Sequence, residues 1–177
     1  MSRQQAGAVL RPIESSDLTA VLALNNEWVP EVSELDAARL ELILAEASMA
    51  EVAIDADDDT LLGLVIVMAP GADYDSPNYR YFSQTFQGGT AEFRYVDRII
   101  VATAAHRRGI GRLLYDAVFD HARDHDAPTV TCEVNVDPPN PVSLAFHSSL
   151  GFDEVGRQTN YDGAVTVALM AAPVPPG

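Results

Sequence analysis

Apolar residues along the chain change repeatedly from strand-like runs to helix-like spacing, and turn residues separate the segments. Short apolar or β-branched runs predict strands at 9–13, 51–56, 61–68, 92–101, 129–136, 153–158 and 164–170. Apolar residues at helical spacing predict helices after Asp17, after Asp36, and at 111–125 and 142–150. Residues 70–90 predict a long aromatic-rich loop with room for a short helix near 79–86. This order predicts a mixed α/β fold of about six to seven strands and about four helices.

Length and composition narrow the class of protein. A chain of 177 residues, of which 47% are apolar and 21% charged, suits one globular domain. We expect this domain to cover residues 1–172 and the proline-rich residues 173–177 to be disordered. The net charge of −15 disfavours nucleic acid as a partner, because its phosphates would be repelled.

The same composition predicts a cytoplasmic protein without a membrane partner. No apolar run reaches the roughly 18 residues of a membrane span, and the polar N-terminal segment lacks the apolar stretch of a secretory signal. The one cysteine, Cys132, cannot form an internal disulfide, which fits a reducing compartment. We expect Cys132 to be a buried strand residue.

The most specific local pattern lies at residues 95–112, where a strand, a glycine turn and a helix start follow one another. Backbone N–H groups at the start of a helix are unpaired, and the helix dipole there favours an anion. Gly109 and Gly111 let a phosphate approach the backbone without a Cβ in the way. Arg107, Arg108 and Arg112 give local positive charge in an acidic chain. A solvated basic helix start is the alternative, but cations there oppose the dipole. The pattern therefore predicts a pyrophosphate site.

Two motifs resemble the signatures of the GNAT superfamily of acetyl-CoA-dependent N-acetyltransferases. Residues 106–111 read HRRGIG, against the family's Q/R-x-x-G-x-G/A, and residues 140–152 read NPVSLAFHSSLGF, against N-x-x-S/A-x-x-F-Y-x-x-x-G-F. The element order is also similar to the family's fold, and other segments resemble a bacterial branch. Two positions depart from the signatures, since His106 replaces Gln or Arg and His147 replaces Tyr.

The resemblance implies where acetyl-CoA binds. In the family, acetyl-CoA lies in a split between two strands, which correspond to the predicted strands at 92–101 and 129–136. The pantetheine would pair with the backbone of Ile99, Ile100 and Val101, and Asn140 would hold the pantetheine arm. The pyrophosphate would be bound by Arg107, Arg108, Gly109, Ile110, Gly111 and Arg112. No metal ion is expected at the site.

Acetyl transfer needs a base for the amine and a proton for the departing thiolate. His147 is the predicted acid, because it stands at the family's tyrosine position and an ordinary imidazole titrates near pH 6.5; a structural histidine is the alternative. Alternation places Tyr95 and Asp97 on one strand face, and the resemblance assigns acid–base residues to these positions. Asp97, acting through water, and Glu133 are nearly equal candidates for the base. Asp97 could instead form an ion pair with an arginine.

The acceptor is the least constrained part of the prediction. Polar and aromatic residues near the first two helices, the aromatic loop and the strand ends are candidates for contacting it: Asn26, Glu27, Tyr81, Tyr95 and Asn135. The acidic chain favours a cationic amine, from a small molecule or a protein N-terminus. The leading hypothesis is thus an acetyl-CoA:amine N-acetyltransferase. Members of the family are often dimers, so the resemblance also implies a homodimer. The alternative is a catalytically silent acyl-CoA-binding module, which the departure at His147 motivates.

Overall fold

The computed structural model describes residues 3–5, 7–87, 92–160 and 163–176. The chain folds into two compact units, one comprising Met1–Met68 and Arg98–Val118 and the other Ala69–Asp97 and Phe119–Gly177. One strand and one helix run from one unit into the other along the chain. No helix within the described residues is long and apolar enough to cross a membrane.

The first unit is built on an antiparallel meander. Its strands are β1 Arg3–Gln5, β2 Ala8–Pro12, β3 Met49–Asp55 and β4 Leu61–Met68, hydrogen-bonded in that order. Strand β4 is buried from Leu62 to Met68 and provides much of the core. Helices α1 Leu18–Glu27 and α2 Ala37–Glu46 precede β3. Asp36 starts α2, because its carboxylate accepts the Arg39 N–H at 2.7 Å.

The second unit contains the remaining elements, of which two are shared with the first. They are α3 Pro77–Gln87, β5 Phe93–Val101, α4 Ile110–Asp124, β6 Thr129–Asp137, α5 Pro141–Ser149, β7 Asp153–Asn160 and β8 Val165–Pro173. The strand order is β5-β6-β8-β7. Strands β6 and β7 each pair with β8 in antiparallel fashion.

Strands β5 and β6 are the parallel pair on which the predicted site depends. They are paired over Phe93–Thr129, Arg94–Val130 and Tyr95–Thr131. Both strands continue beyond this pairing, β5 to Val101 and β6 to Asp137. The stretches that follow Tyr95 and Thr131 contain the predicted catalytic carboxylates Asp97 and Glu133.

The mixed α/β fold is confirmed, with small differences in its elements. The structure adds the short strand β1, and the short helix expected near 79–86 is the 11-residue helix α3. Cys132 is 2% exposed in β6, as predicted for a strand residue. The single domain and the disordered tail stay predictions.

Candidate active site

A backbone concavity in the first unit forms at the start of α4. The first intrahelical bond runs from the Leu113 N–H to the Gly109 carbonyl at 3.0 Å, so the N–H groups of Ile110, Gly111 and Arg112 precede the hydrogen-bonded ladder. Just before the helix, Arg107 has φ 62° and Gly109 has φ 81°. Residues of left-handed conformation within a turn direct successive N–H groups into a concavity that binds anions. We name residues 107–112 the cradle.

One of the three arginines of the cradle has a carboxylate partner elsewhere in the first unit. Arg108 forms an ion pair with Asp55, with Nη2 and Oδ2 2.8 Å apart. This guanidinium also holds the pKa of Asp55 below its ordinary value. The charge of Arg108 is therefore shared with a carboxylate, whereas Arg107 and Arg112 are exposed at the cradle. No local pattern indicates this pair, because its members are 53 positions apart in the chain.

His106, the first residue of the motif, has structural contacts. Its ring packs against Trp28 with centroids 5.5 Å apart, and its Nε2 donates to the Val101 carbonyl at 3.2 Å. Ile100 is buried, while Ile99 and Val101 are half-buried at the end of β5. One of the backbone acceptors assigned to pantetheine is thus occupied by a histidine in this structure.

The second unit contains two tyrosine–carboxylate pairs. The Tyr95 hydroxyl donates to Glu133 Oε1 at 2.9 Å, and the Tyr74 hydroxyl donates to Asp97 Oδ1. Tyr95 is fully buried, and burial, followed by the charges of Glu133 and Asp97, raises its pKa well above the ordinary value. Tyr95 therefore stays protonated and acts as a hydrogen-bond donor. Tyr74 is a functional candidate that the sequence did not reveal.

His147 lies in the last turn of α5 and is 4% exposed. Its ring packs edge-on against Phe146 and Phe152, with centroids 5.6 and 5.5 Å away. Its Nδ1 lies 2.7 Å from the Ser143 carbonyl, and a carbonyl can only accept, so Nδ1 carries the proton. Burial lowers the pKa of His147, although the bond to Ser143 opposes this. The imidazole is therefore mainly neutral at pH 7, and an acid role requires the scarcer imidazolium.

Asn140 and Asn135 shape the start of α5. The Asn140 side chain caps the helix by accepting the Ser143 N–H at 3.1 Å, and the Asn140 N–H donates to the Asn135 carbonyl at 3.0 Å. Pro141 follows as the first helical residue. The Asn140 side-chain oxygen is thus used by the fold, and its amide nitrogen is the group left to consider for pantetheine.

The predicted acceptor residues are Asn26 and Glu27 in the first unit and Tyr81, Tyr95 and Asn135 in the second. Asn26 holds the segment after α1, since its side chain exchanges hydrogen bonds of 2.9 and 3.0 Å with the Leu35 backbone. Glu27 is exposed at the end of α1. Tyr81 directs its hydroxyl toward the Val155 carbonyl, 3.4 Å away. Of these candidates, Tyr95 alone contacts a predicted catalytic residue through a described hydrogen bond.

A buried polar pair in the first unit also escaped the sequence analysis. Arg98 is 5% exposed and donates to Asn25 Oδ1 at 2.6 Å, while Asn25 is fully buried. The Asn25 amide in turn donates to the Ser33 carbonyl at 3.0 Å. This chain of bonds ties the segment after α1 to the part of β5 that was assigned to pantetheine.

Comparison with known proteins gives one family and a consistent fold. The sequence model of the acetyltransferase (GNAT) family matches residues 19–152. No curated protein matches the sequence significantly. Among solved structures, the chain is similar to Arabidopsis thaliana NAA60 bound to a bisubstrate analogue (TM-score 0.76, 17% identity, 94% of this chain and 97% of that chain covered).

Two further structures are similar over nearly their full length. One is the ribosomal-protein-S18-alanine N-acetyltransferase from Escherichia coli (TM-score 0.70, 18% identity, 96% of each chain covered). The other is a GCN5-related N-acetyltransferase from Kribbella flavida (TM-score 0.67, 24% identity, 94% of this chain and 98% of that chain covered). At these identities the likeness shows the fold.

Proposed function

This chain belongs to the GNAT family of acetyltransferases, and from that premise we propose that Asp97 takes the proton of the acceptor amine through the Tyr74 hydroxyl. The protein is an enzyme that transfers an acetyl group from acetyl-CoA to an amine. The observation that carries the proposal is the hydrogen bond from Tyr74 to Asp97, which joins a loop residue to a strand carboxylate.

The cradle fits the pyrophosphate of acetyl-CoA. Its N–H groups precede the first helical bond, and positive φ at Arg107 and Gly109 supports a concave backbone. Arg107 and Arg112 would add charge at the cradle, whereas Arg108 is partly neutralised by Asp55. Acetyl-CoA supplies the activated thioester. We assign its pantetheine to the backbone of Ile99, Ile100 and Val101 and to the Asn140 amide.

The proton path follows from which groups donate and accept. The Tyr74 hydroxyl donates a hydrogen bond to Asp97 Oδ1. The Tyr74 oxygen can therefore accept a proton from the ammonium or amine nitrogen of the acceptor while the hydroxyl proton of Tyr74 moves to Asp97 Oδ1. The amine N–H bond and the original Tyr74 O–H bond break, and new O–H bonds form on Tyr74 and on Asp97 Oδ1, which becomes a neutral carboxylic acid. The amine then has the lone pair that it needs for attack.

Glu133 is the alternative base, and access separates the two carboxylates. The tyrosine bound to Glu133 is fully buried, whereas Tyr74 is half-buried and lies on an open loop. A relay needs a hydroxyl that the amine can reach, which favours the Asp97 pair. Glu133 would then hold Tyr95 in place and add negative potential that stabilises a nearby ammonium.

His147 remains the proposed proton donor to the thiolate, with a condition on pH. The neutral ring carries its proton on Nδ1, where the Ser143 carbonyl binds it. Donation therefore requires the imidazolium, and burial makes that form less common than in an ordinary histidine. An acid role for His147 would be visible as turnover that increases below pH 7.

The test compares isosteric variants in a thiol-release assay with an amine panel. Asp97→Asn keeps the hydrogen bond from Tyr74 but cannot take its proton, so kcat should fall about 100-fold while acetyl-CoA affinity is kept. Tyr74→Phe should give a similar loss, and Glu133→Gln a smaller one. Asp57→Asn, an exposed turn carboxylate, is the control. A larger loss for Glu133→Gln than for Asp97→Asn would overturn the assignment.

The remaining features of the function are proposals from composition and family. We assign the acceptor to primary amines of small molecules or protein N-termini, and the likeness to a ribosomal-protein-S18-alanine N-acetyltransferase supports an amine of this kind. The acidic net charge supports the absence of a nucleic-acid partner. A cytoplasmic location, a bacterial source, a homodimer and the absence of a membrane partner are proposed on the same basis. Binding of acetyl-CoA without release of CoA to any amine would instead indicate a silent binding module.

A further inference from the structure

An open pocket of about 500 Å³ lies in the second unit, between loop residues 71–75 and one face of α3. The loop supplies Asp73, Tyr74 and Asp75, and the helix supplies Tyr79, Arg80 and Ser83, among others. The loop is held in shape, because the Tyr79 hydroxyl donates to the Ala69 carbonyl at 2.8 Å and accepts the Ala72 N–H at 3.0 Å. This volume suits a small molecule.

The pocket is connected to a catalytic candidate by one hydrogen bond. Tyr74 is part of the pocket wall, and its hydroxyl is bonded to Asp97. A ligand in this pocket would therefore meet the proton relay of the proposed function. No other residue of the pocket wall has a described hydrogen bond to Asp97 or Glu133 among the residues that the structure covers.

The lining favours a cation over an anion. It contains two carboxylates, Asp73 and Asp75, and one guanidinium, Arg80, which pairs with Asp75. The rings of Tyr74 and Tyr79 meet edge to face with centroids 5.8 Å apart, and tyrosine faces attract cations. Ser83 also lines the pocket, and its hydroxyl oxygen is buried within the wall without a hydrogen-bond partner among the described residues.

We propose that this pocket binds the acceptor, and that the acceptor is a small aliphatic amine with a second positive charge, a diamine or polyamine. This inference rests on the proposed function, because it takes the relay of Tyr74 and Asp97 as the reacting end. The first amine meets Tyr74, and the second ammonium lies against the Asp73 carboxylate and the tyrosine rings. A carboxylate at the second position is repelled by Asp73.

Matched acceptors test the second charge directly. 1,4-Diaminobutane, 1-aminopentane and 5-aminopentanoate have similar length and differ at the far end, which is an ammonium, a methyl group or a carboxylate. After correction for its two equivalent amines, the diamine should have a kcat/KM about 10-fold above that of aminopentane, since a charge-assisted contact is worth roughly that factor. Aminopentanoate should be the poorest acceptor.

Variants locate the effect in the pocket. Asp73→Asn should reduce the preference for the diamine over aminopentane to about 2-fold or less, mainly through the KM of the diamine. Ser83→Trp should lower kcat/KM for every amine about 10-fold or more by filling the pocket, with acetyl-CoA affinity unchanged by calorimetry. Asp57→Asn removes the same charge from an exposed turn of the first unit and should change neither measurement.

The outcomes separate this inference from the function on which it rests. If aminopentane and the diamine are acetylated equally well, or Asp73→Asn keeps the preference, the pocket assignment is wrong and the acetyltransferase stands. A peptide N-terminus acetylated far better than any diamine, with Ser83→Trp fully active, would also refute the pocket. If no amine is acetylated although acetyl-CoA binds, the proposed function itself fails.

Discussion

Gly63 in β4 gives a sharp test of how the first unit is packed beneath the cradle. A Cβ placed on Gly63 would lie 2.7 Å from the Ile100 carbonyl oxygen, 3.2 Å from Ile110 Cγ2 and 3.3 Å from Leu114 Cδ1. The nearest of these is a backbone atom and cannot rotate away, so Gly63→Ala must shift β5 or β4. Overpacking of this kind costs about 1–3 kcal/mol of unfolding free energy.

The shift should also weaken acetyl-CoA binding, because Ile100 and Ile110 belong to the two segments assigned to it. Urea denaturation gives the stability, and calorimetry with acetyl-CoA gives the affinity, for which we expect a loss of about 10-fold or more. Gly156→Ala is the matched control, since its Cβ would meet side-chain atoms only: the Tyr81 hydroxyl oxygen at 2.7 Å, Tyr81 Cζ at 3.2 Å and Leu169 Cδ1 at 3.6 Å. That variant should lose less than about 1 kcal/mol. Equal losses for the two variants, or none for Gly63→Ala, would refute this account of the packing.

Three further predictions concern single side chains. In Gly109→Ala, the added Cβ would have no atom within 4 Å, but the alanine must adopt φ near 81°. The unfolding free energy should therefore fall by about 1–2 kcal/mol, and calorimetry should show weaker acetyl-CoA binding. Unchanged acetyl-CoA affinity would refute the assignment of the cradle to the pyrophosphate. His147→Phe should lower kcat far more than acetyl-CoA affinity, and equal losses would remove His147 as the acid. Burial and the neighbouring His125 and Arg94 lower the pKa of His121 to about 4. As the pH falls, His121 is protonated in the unfolded chain near pH 6.5 but in the folded chain only near pH 4. Protonation between these values therefore favours the unfolded chain, and the free energy of unfolding decreases as the pH falls from about 6.5 to 4. In urea denaturation, the unfolding free energy of His121→Gln should fall by about 1–2 kcal/mol less between pH 6.5 and 4 than that of the original chain. This value is below the full pKa shift because His121 is partly exposed to solvent. The same pH dependence in both proteins would contradict the prediction.

The helices and strands could be predicted because their signals are local. Asn140 and Pro141 mark the start of α5, and the structure uses Asn140 as its cap. Gly109 marks the start of α4, where its positive φ turns the chain. In both cases the physical cause lies within a few residues of its effect, so a single sequence contains it.

Side-chain partnerships between elements could not be predicted in this way. Arg108 was expected at the pyrophosphate, yet Asp55 binds it from 53 residues away, and Asn25 meets Arg98 from 73 residues away. Such pairs depend on the register of strands and on how each element packs. Periodicity predicts which face of a strand a residue occupies, but it does not identify the partner on that face.

This difference explains why the sequence yields a specific prediction for the acetyl-CoA half of the site and leaves the acceptor half open. A pyrophosphate cradle is made of backbone N–H groups, so glycines in a short segment are enough to indicate it. The proton relay is made of side chains, and Tyr74 is 23 residues from Asp97. Both tyrosine–carboxylate pairs have the same chemistry, and only burial distinguishes them. Tyr95 is sealed in the core, while Tyr74 belongs to an open pocket wall. An amine can lose its proton only to a hydroxyl that it can reach, so access, which is a tertiary property, is the reason that we propose Asp97 rather than Glu133 as the base.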